Sequence, residues 1–124
     1  MPRTVLIVED MDYCRDTLEV ALMKLPDLSV RSVASAEEAL ESLAGGEICA
    51  MIVDLHLPRM DGFELIEAIR AQPRDSPLPI VVVSGDSDPE TPARLAGLGA
   101  NAYFPKPYSP SQVRRKLEEL IDDS

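Results

Sequence analysis

Residues 50–61 read AMIVDLHLPRMD, and the fold turns on them. Ala50 to Val53 have the composition of a strand buried on both faces, yet the run ends on a carboxylate, Asp54. Burying even a neutral polar group without a partner costs on the order of 2–7 kcal/mol, and an ion costs more, so other residues must compensate Asp54. Working outward, apolar runs too short for helices recur at VLIV (5–8), LSVRSV (28–33), CAMIV (49–53), PIVVV (79–83) and AYF (102–104). β-Branched residues are common in them, and each predicts a strand.

Between these runs, and after the last, apolar residues take helical spacing. They are Cys14, Leu18, Ala21, Leu22 and Leu25; Ala36, Ala39, Leu40 and Leu43; Phe63, Ile66 and Ile69; a weakly periodic 89–98; and 110–121. The order is (βα)5. Continuous rather than alternating hydrophobicity in the first, third and fourth strands means that both sheet faces are covered. That predicts a doubly wound α/β fold, a five-stranded parallel sheet with helices on both faces. Ser35 with Glu38 and Asp61 with Glu64 have capping-box spacing, Gly45 and Gly99 stand where helices stop, and Ser109-Pro110 suits a cap and first helical position. Pro89 and Pro92 make the fourth helix short and easily moved, starting either at Asp88 or at Thr91-Pro92.

The 124 residues match one compact domain, 1–124, with a core over about 4–121. No apolar stretch approaches the ~20 residues that span a bilayer, and MPRTVLIVED lacks the long apolar region and small-residue cleavage site of a secretory signal. A cytoplasmic location without membrane contact is expected. Cys14 and Cys49 lack metal-type spacing and read as packed thiols. A net charge of −10, from 22 acids against 12 bases, argues against direct nucleic-acid binding and for a protein partner. Arg114-Arg115-Lys116 reads as a solvated helix face.

Parallel sheets of this kind carry their sites at the C-terminal strand ends. Those ends hold Glu9 and Asp10, Asp54, Ser84 and Lys106. Carboxylates ~4 Å apart repel by roughly 1 kcal/mol per pair in water and ~4 kcal/mol at an effective dielectric of ~20, so the acids need cations. Lys106 is one, and a divalent ion is the other. Oxygen-only ligands in an open coordination sphere point to Mg2+. A carboxylate held ionised beside Mg2+ and a lysine can attack phosphorus, which gives an aspartyl phosphate on Asp54.

These residues carry a family resemblance. The chain resembles a response-regulator receiver domain of two-component phosphorelays from Val5 to about Ile121. The resemblance rests on the acidic pair in IVEDMD, the acceptor in VDLHLPRMDG, the hydroxyl in VVVSGD, the small residues LGA (98–100) and YFPKP, in that order. It implies a flavodoxin-like sheet of strand order 2-1-3-4-5. It further implies that Asp54 accepts a phosphoryl group from a phosphohistidine of a histidine kinase or histidine phosphotransfer protein. By the same resemblance, Asp10, Asp54 and the backbone carbonyl of His56 hold Mg2+ directly, and Glu9 helps through water. Ser84 and Lys106 bind the phosphoryl oxygens, Ser84 and Tyr103 form the switch, and the Lys106-Pro107 peptide is cis. A domain of this kind is a signalling switch rather than an enzyme, although it assists its own phosphotransfer and autodephosphorylation. Its partners include a downstream protein target or output domain, and a homodimer through the face of the fourth and fifth helices is compatible with it.

Each residue also has a plainer reading. Asp12 suits an N-cap better than a further metal ligand. The side chain of His56 tunes the site at most. Asp86 either guides or repels an attacking water or is simply a solvated loop residue, and Tyr103 is either a switch or part of the core. Asp61 and Gly62 shape a loop and cap the third helix, and Ser84 stands where many relatives carry Thr. Rival functions are a receiver that docks without being phosphorylated, a haloacid-dehalogenase-type phosphatase and a flavodoxin. The second needs another Asp two residues after its nucleophile, where His56 stands, and the third needs a phosphate-cradling loop where Glu9, Asp10 and Asp12 would repel the phosphate.

Overall fold

The computed structural model describes residues 3–72 and 77–122. Five strands alternate with five helices: β1 (Arg3–Val8), α1 (Asp12–Leu22), β2 (Leu28–Val33), α2 (Ala36–Ala44), β3 (Ile48–Asp54), α3 (Gly62–Arg70), β4 (Ile80–Ser84), α4 (Thr91–Leu98), β5 (Ala102–Pro105) and α5 (Pro110–Asp122). All the strand pairs are parallel, in the order β2-β1-β3-β4-β5, so the (βα)5 reading and its sheet order hold.

The pleat divides the core in two. Leu6 and Val8 of β1 with Met51 and Val53 of β3 face α2, α3 and α4, through Ala39, Ile66 and Leu95 among others. The alternate residues, Val5, Ile7, Ala50 and Ile52, face Leu18 and Leu22 of α1 and Val113, Leu117 and Ile121 of α5. Burying each of the valines, leucines, isoleucines and the methionine stabilises the fold by roughly 1.5–3 kcal/mol, and the stretches 5–8, 50–53 and 80–83 are accordingly apolar and fully buried.

Local signals set the helix ends, with some departures from the sequence reading. Asp61 accepts the Glu64 N–H (2.9 Å) and the Glu64 side chain accepts the Asp61 N–H (3.2 Å), a complete capping box. Ser35 accepts the Glu38 N–H (3.2 Å), but the Glu38 carboxylate takes the N–H of Ala34 instead of that of Ser35 (3.0 Å). Leu25 has helical spacing but lies outside α1, which stops at Leu22 ahead of Pro26. Of the two starts open to α4, the late one is adopted: the helix begins at Thr91 with Pro92 in its first turn, after Glu90, which provides no side-chain cap. Gly99 closes α4 at φ 94°, a conformation that glycine adopts without penalty.

Candidate functional site

The sheet delivers the sequence-predicted residues to one edge. Glu9 follows β1, Asp54 ends β3, Ser84 ends β4 and Lys106 follows β5. Carboxylate oxygens of Glu9, Asp10 and Asp54 lie within 4.8 Å of one another. Glu9, Asp54 and Ser84 are buried, while Asp10 is exposed. The Lys106 ammonium bridges two of the acids, with Nζ 3.1 Å from Asp54 Oδ2 and 3.4 Å from Glu9 Oε2.

Backbone donors also serve two of the acids. His56 donates its N–H to Asp54 Oδ1 (3.1 Å), and Met11 donates its N–H to Glu9 Oε1 (3.2 Å). Gly62 lets the start of α3 close on the end of β3. A Cβ there would stand 2.7 Å from both the Asp54 carbonyl oxygen and Leu55 Cα, so only glycine fits without moving backbone. The turn between β3 and α3 is the one that supplies the His56 N–H to the Asp54 carboxylate.

The electrostatics record the crowding. Burial, then the charge of Asp54, push the Glu9 carboxyl from its ordinary 4.5 up to about 7, against the opposing pull of Lys106. Burial works against the charge on Lys106, but the hydrogen bond and charge of Asp54, together with Glu9, outweigh it and raise the ammonium above its ordinary value. With one ammonium shared among three acids, the cluster retains excess negative charge. Oxygen donors that are hard, close together and partly exposed fit a small divalent cation such as Mg2+.

Ser84 and Tyr103 meet through a backbone. Ser84 Oγ accepts the Asp86 N–H (3.2 Å), and the Asp86 carbonyl accepts the Tyr103 hydroxyl (3.1 Å). Tyr103 is half-buried and packs against the core, so its ring belongs to the core and its hydroxyl to the loop. The Asp86 side chain turns back on its own loop, where Oδ1 accepts the Asp88 N–H (2.8 Å). His56 is exposed, and the Lys106-Pro107 peptide is cis.

Asp12 is a correction. The residue before α1 is Met11, which makes no side-chain cap, and Asp12 is the first helical residue, paired with Arg15. One position inside the helix, its carboxylate pairs with Arg15 at i,i+3 instead of capping. Sequence reasoning passed over Arg15, whose Nη1 also donates to the Glu9 carbonyl (3.0 Å), and over the backbone of Asp86. The Asp12–Arg15 spacing was the one available signal; the backbone links had none.

Beside the site, the exposed large apolar side chains among the described residues are Met11, Tyr13, Val20 and Met23, all on α1 or its flanks. A groove of about 540 Å³ lined by Tyr13, Cys14, Thr17, Lys106, Tyr108 and Pro110 joins that face to Lys106. No helix among the described residues is long and apolar enough to cross a membrane.

Comparison with known proteins agrees with this geometry. The family model of the response regulator receiver domain matches residues 5–118. The transcriptional regulatory protein GltR of Pseudomonas aeruginosa is 32% identical over 119 residues, covering 96% of this chain and 49% of GltR. The chain thus spans about half the length of the curated relatives it matches. The chemotaxis response regulator CheY4 of Vibrio cholerae superimposes with a TM-score of 0.85 at 26% identity, over 97% of this chain and 99% of that one. The receiver domain of the sensor histidine kinase PA1611 from P. aeruginosa was solved with a magnesium ion coordinated in its active-site cleft. It gives a TM-score of 0.86 at 26% identity, over 98% and 99% of the two chains.

Proposed function

The chain belongs to the response regulator receiver domain family, and from that premise we propose that Asp54 is its phosphoacceptor, charged from a phosphohistidine in the presence of Mg2+. The observation that carries the reading is the ammonium of Lys106 held between Asp54 and Glu9, with Asp10 completing the acid cluster. Glu9, Asp10, Asp54 and the His56 carbonyl would hold the ion, which when bound offsets the acids' charge and that of the incoming phosphoryl group. Lys106 is placed to pair with phosphoryl oxygens on Asp54. The buried position of Asp54 limits access by water, and the His56 N–H orients the carboxylate for attack. The exposed His56 side chain and Asp86 flank the mouth and would tune loss of the group.

The added group carries a charge of about −1.5 to −2, which attracts Lys106 and the Ser84 hydroxyl. Turning Ser84 toward Asp54 breaks its bond from Asp86 and, through the Asp86 carbonyl, releases Tyr103. Two or three charge-assisted hydrogen bonds at ~1.5–3 kcal/mol each are comparable to the roughly 5.5 kcal/mol that moves an equilibrium from 1:99 to 99:1. The apolar face of α1, joined to Lys106 by the groove, supports docking of the phosphodonor there.

Acetyl phosphate with Mg2+, followed by intact mass, should show one labile phosphoryl adduct that Asp54→Ala abolishes. An adduct that survives this change would remove Asp54 from the role. A downstream protein target is tested by pull-down with and without phosphorylation, and unchanged capture would favour a docking module that does not switch.

A further inference from the structure

Asp10 is the exposed member of the acid cluster, and its carboxylate makes no hydrogen bond or ion pair among the described residues. Its aim therefore depends on its backbone. The peptide that joins Glu9 to Asp10 is planar, so fixing the Glu9 carbonyl fixes the plane from which Asp10 departs. That carbonyl accepts Arg15 Nη1 at 3.0 Å. On the other side of the same residue, the Glu9 N–H donates to the Val33 carbonyl of β2 at 3.0 Å. Glu9 is thus pinned to the sheet through its nitrogen and to α1 through its carbonyl.

The second arm of the guanidinium holds Asp12. The Arg15 side chain is 22% exposed and that of Asp12 is 85% exposed, so the partly buried arginine draws the acid back over α1. Asp12 is the third acid of the stretch Glu9 to Asp12, yet the metal-compatible cluster contains Glu9, Asp10 and Asp54 without it. A guanidinium suits this double task because its donors lie in a fixed plane and serve two acceptors at once.

We propose that Arg15 is a positioning residue for the cation site: it locks the Glu9-Asp10 peptide so that Asp10 faces Asp54, and it withholds Asp12 from the site. The inference rests on the reading of this edge as a Mg2+ site. Outer residues that orient metal ligands alter affinity on the order of 10–100-fold when replaced.

The test is Mg2+ titration of the full chain by calorimetry, with thermal unfolding in chelator measured alongside. Arg15→Met should weaken Mg2+ binding on the order of ten-fold, the lower end of that range. Arg15→Lys, which keeps one donor for the Glu9 carbonyl, should recover most of the affinity. Asp12→Asn should bind Mg2+ like the parent. Should Arg15→Met lower the melting temperature while Mg2+ affinity stays at the parent value, Arg15 is a stability residue and the inference is wrong. Should Arg15→Met fail to fold, Arg15→Gln takes its place: a loss of Mg2+ affinity larger than that of Arg15→Lys, with Asp12→Asn at the parent value, supports the inference, and parent affinity in Arg15→Gln or a loss in Asp12→Asn overturns it. Absence of Mg2+ uptake by the parent chain would remove the functional reading itself, a failure distinct from parent-like uptake by Arg15→Met.

Discussion

The two halves of the functional edge are built differently. On the acid side, the turns after β1 and β3 are tied to neighbouring elements: Glu9 to β2 and α1, and the end of Asp54 to α3 through the Gly62 approach and the Asp61–Glu64 box. On the other side, residues 85–90 lean on themselves, with Asp88 donating its N–H to Asp86 and Glu90 donating its N–H to Asp88. Their described ties to the sheet are the Asp86 bonds to Ser84 and Tyr103. The helix that follows, α4, buries only Thr91 and Leu95. The proposed function accounts for the difference: charges that repel must be aimed rigidly to share a cation, whereas a segment that would report phosphorylation must cost little to move.

The largest expected break falls on the acid side. Lys106→Met leaves Glu9 and Asp54 buried without the ammonium between them, a loss of about 3 kcal/mol by urea unfolding at pH 8, the scale for breaking a buried pair. At pH 5, where Glu9 takes up a proton, the loss should be smaller.

A second effect follows from Glu9 itself. Its folded value of about 7 lies above the ordinary 4.5, so between those values the folded chain holds a proton that the unfolded chain has released. Without divalent cations, stability should therefore fall as pH rises from 4.5 to 7 and level off above. Glu9 contributes at most about 3.5 kcal/mol, at roughly 1.4 kcal/mol per unit. Urea midpoints across that window measure it, and a Glu9→Gln variant should flatten the slope.

The smallest effect lies on the side with fewer ties. The Arg94 guanidinium sits 3.7 Å from the centre of the Phe63 ring, linking α4 to α3. Arg94→Ala should cost about 0.5–1 kcal/mol, the value of an exposed cation–π contact. Amide exchange should quicken in 91–98 while Mg2+ affinity is unchanged. A matching loss of Mg2+ affinity would mean that the two sides are mechanically one.

The same division governs what could be read from sequence. The strands were legible because apolar runs such as Ile52-Val53 and Val81-Val82 are buried on both faces, and the acid cluster because parallel topology forces the strand ends onto one edge. Asp61 and Glu64 announced their cap by spacing alone. Asp12 misled, because an N-cap and a first helical residue differ by one position and residue type alone does not separate them. The bonds to the carbonyls of Glu9 and Asp86 left no trace, since every residue carries a carbonyl and only tertiary placement selects which one is used.

The central claim is that the three acids repel one another until a divalent cation joins Lys106. Thermal unfolding of the parent and Asp54→Asn, each in chelator and in Mg2+, tests it most directly. In chelator the Asn variant should be at least as stable as the parent. Mg2+ at a hundred times the dissociation constant should then raise the parent by about 2.7 kcal/mol over its own value in chelator, a larger gain than that of the Asn variant. A parent that is the more stable protein in chelator and gains nothing from Mg2+ would contradict the account.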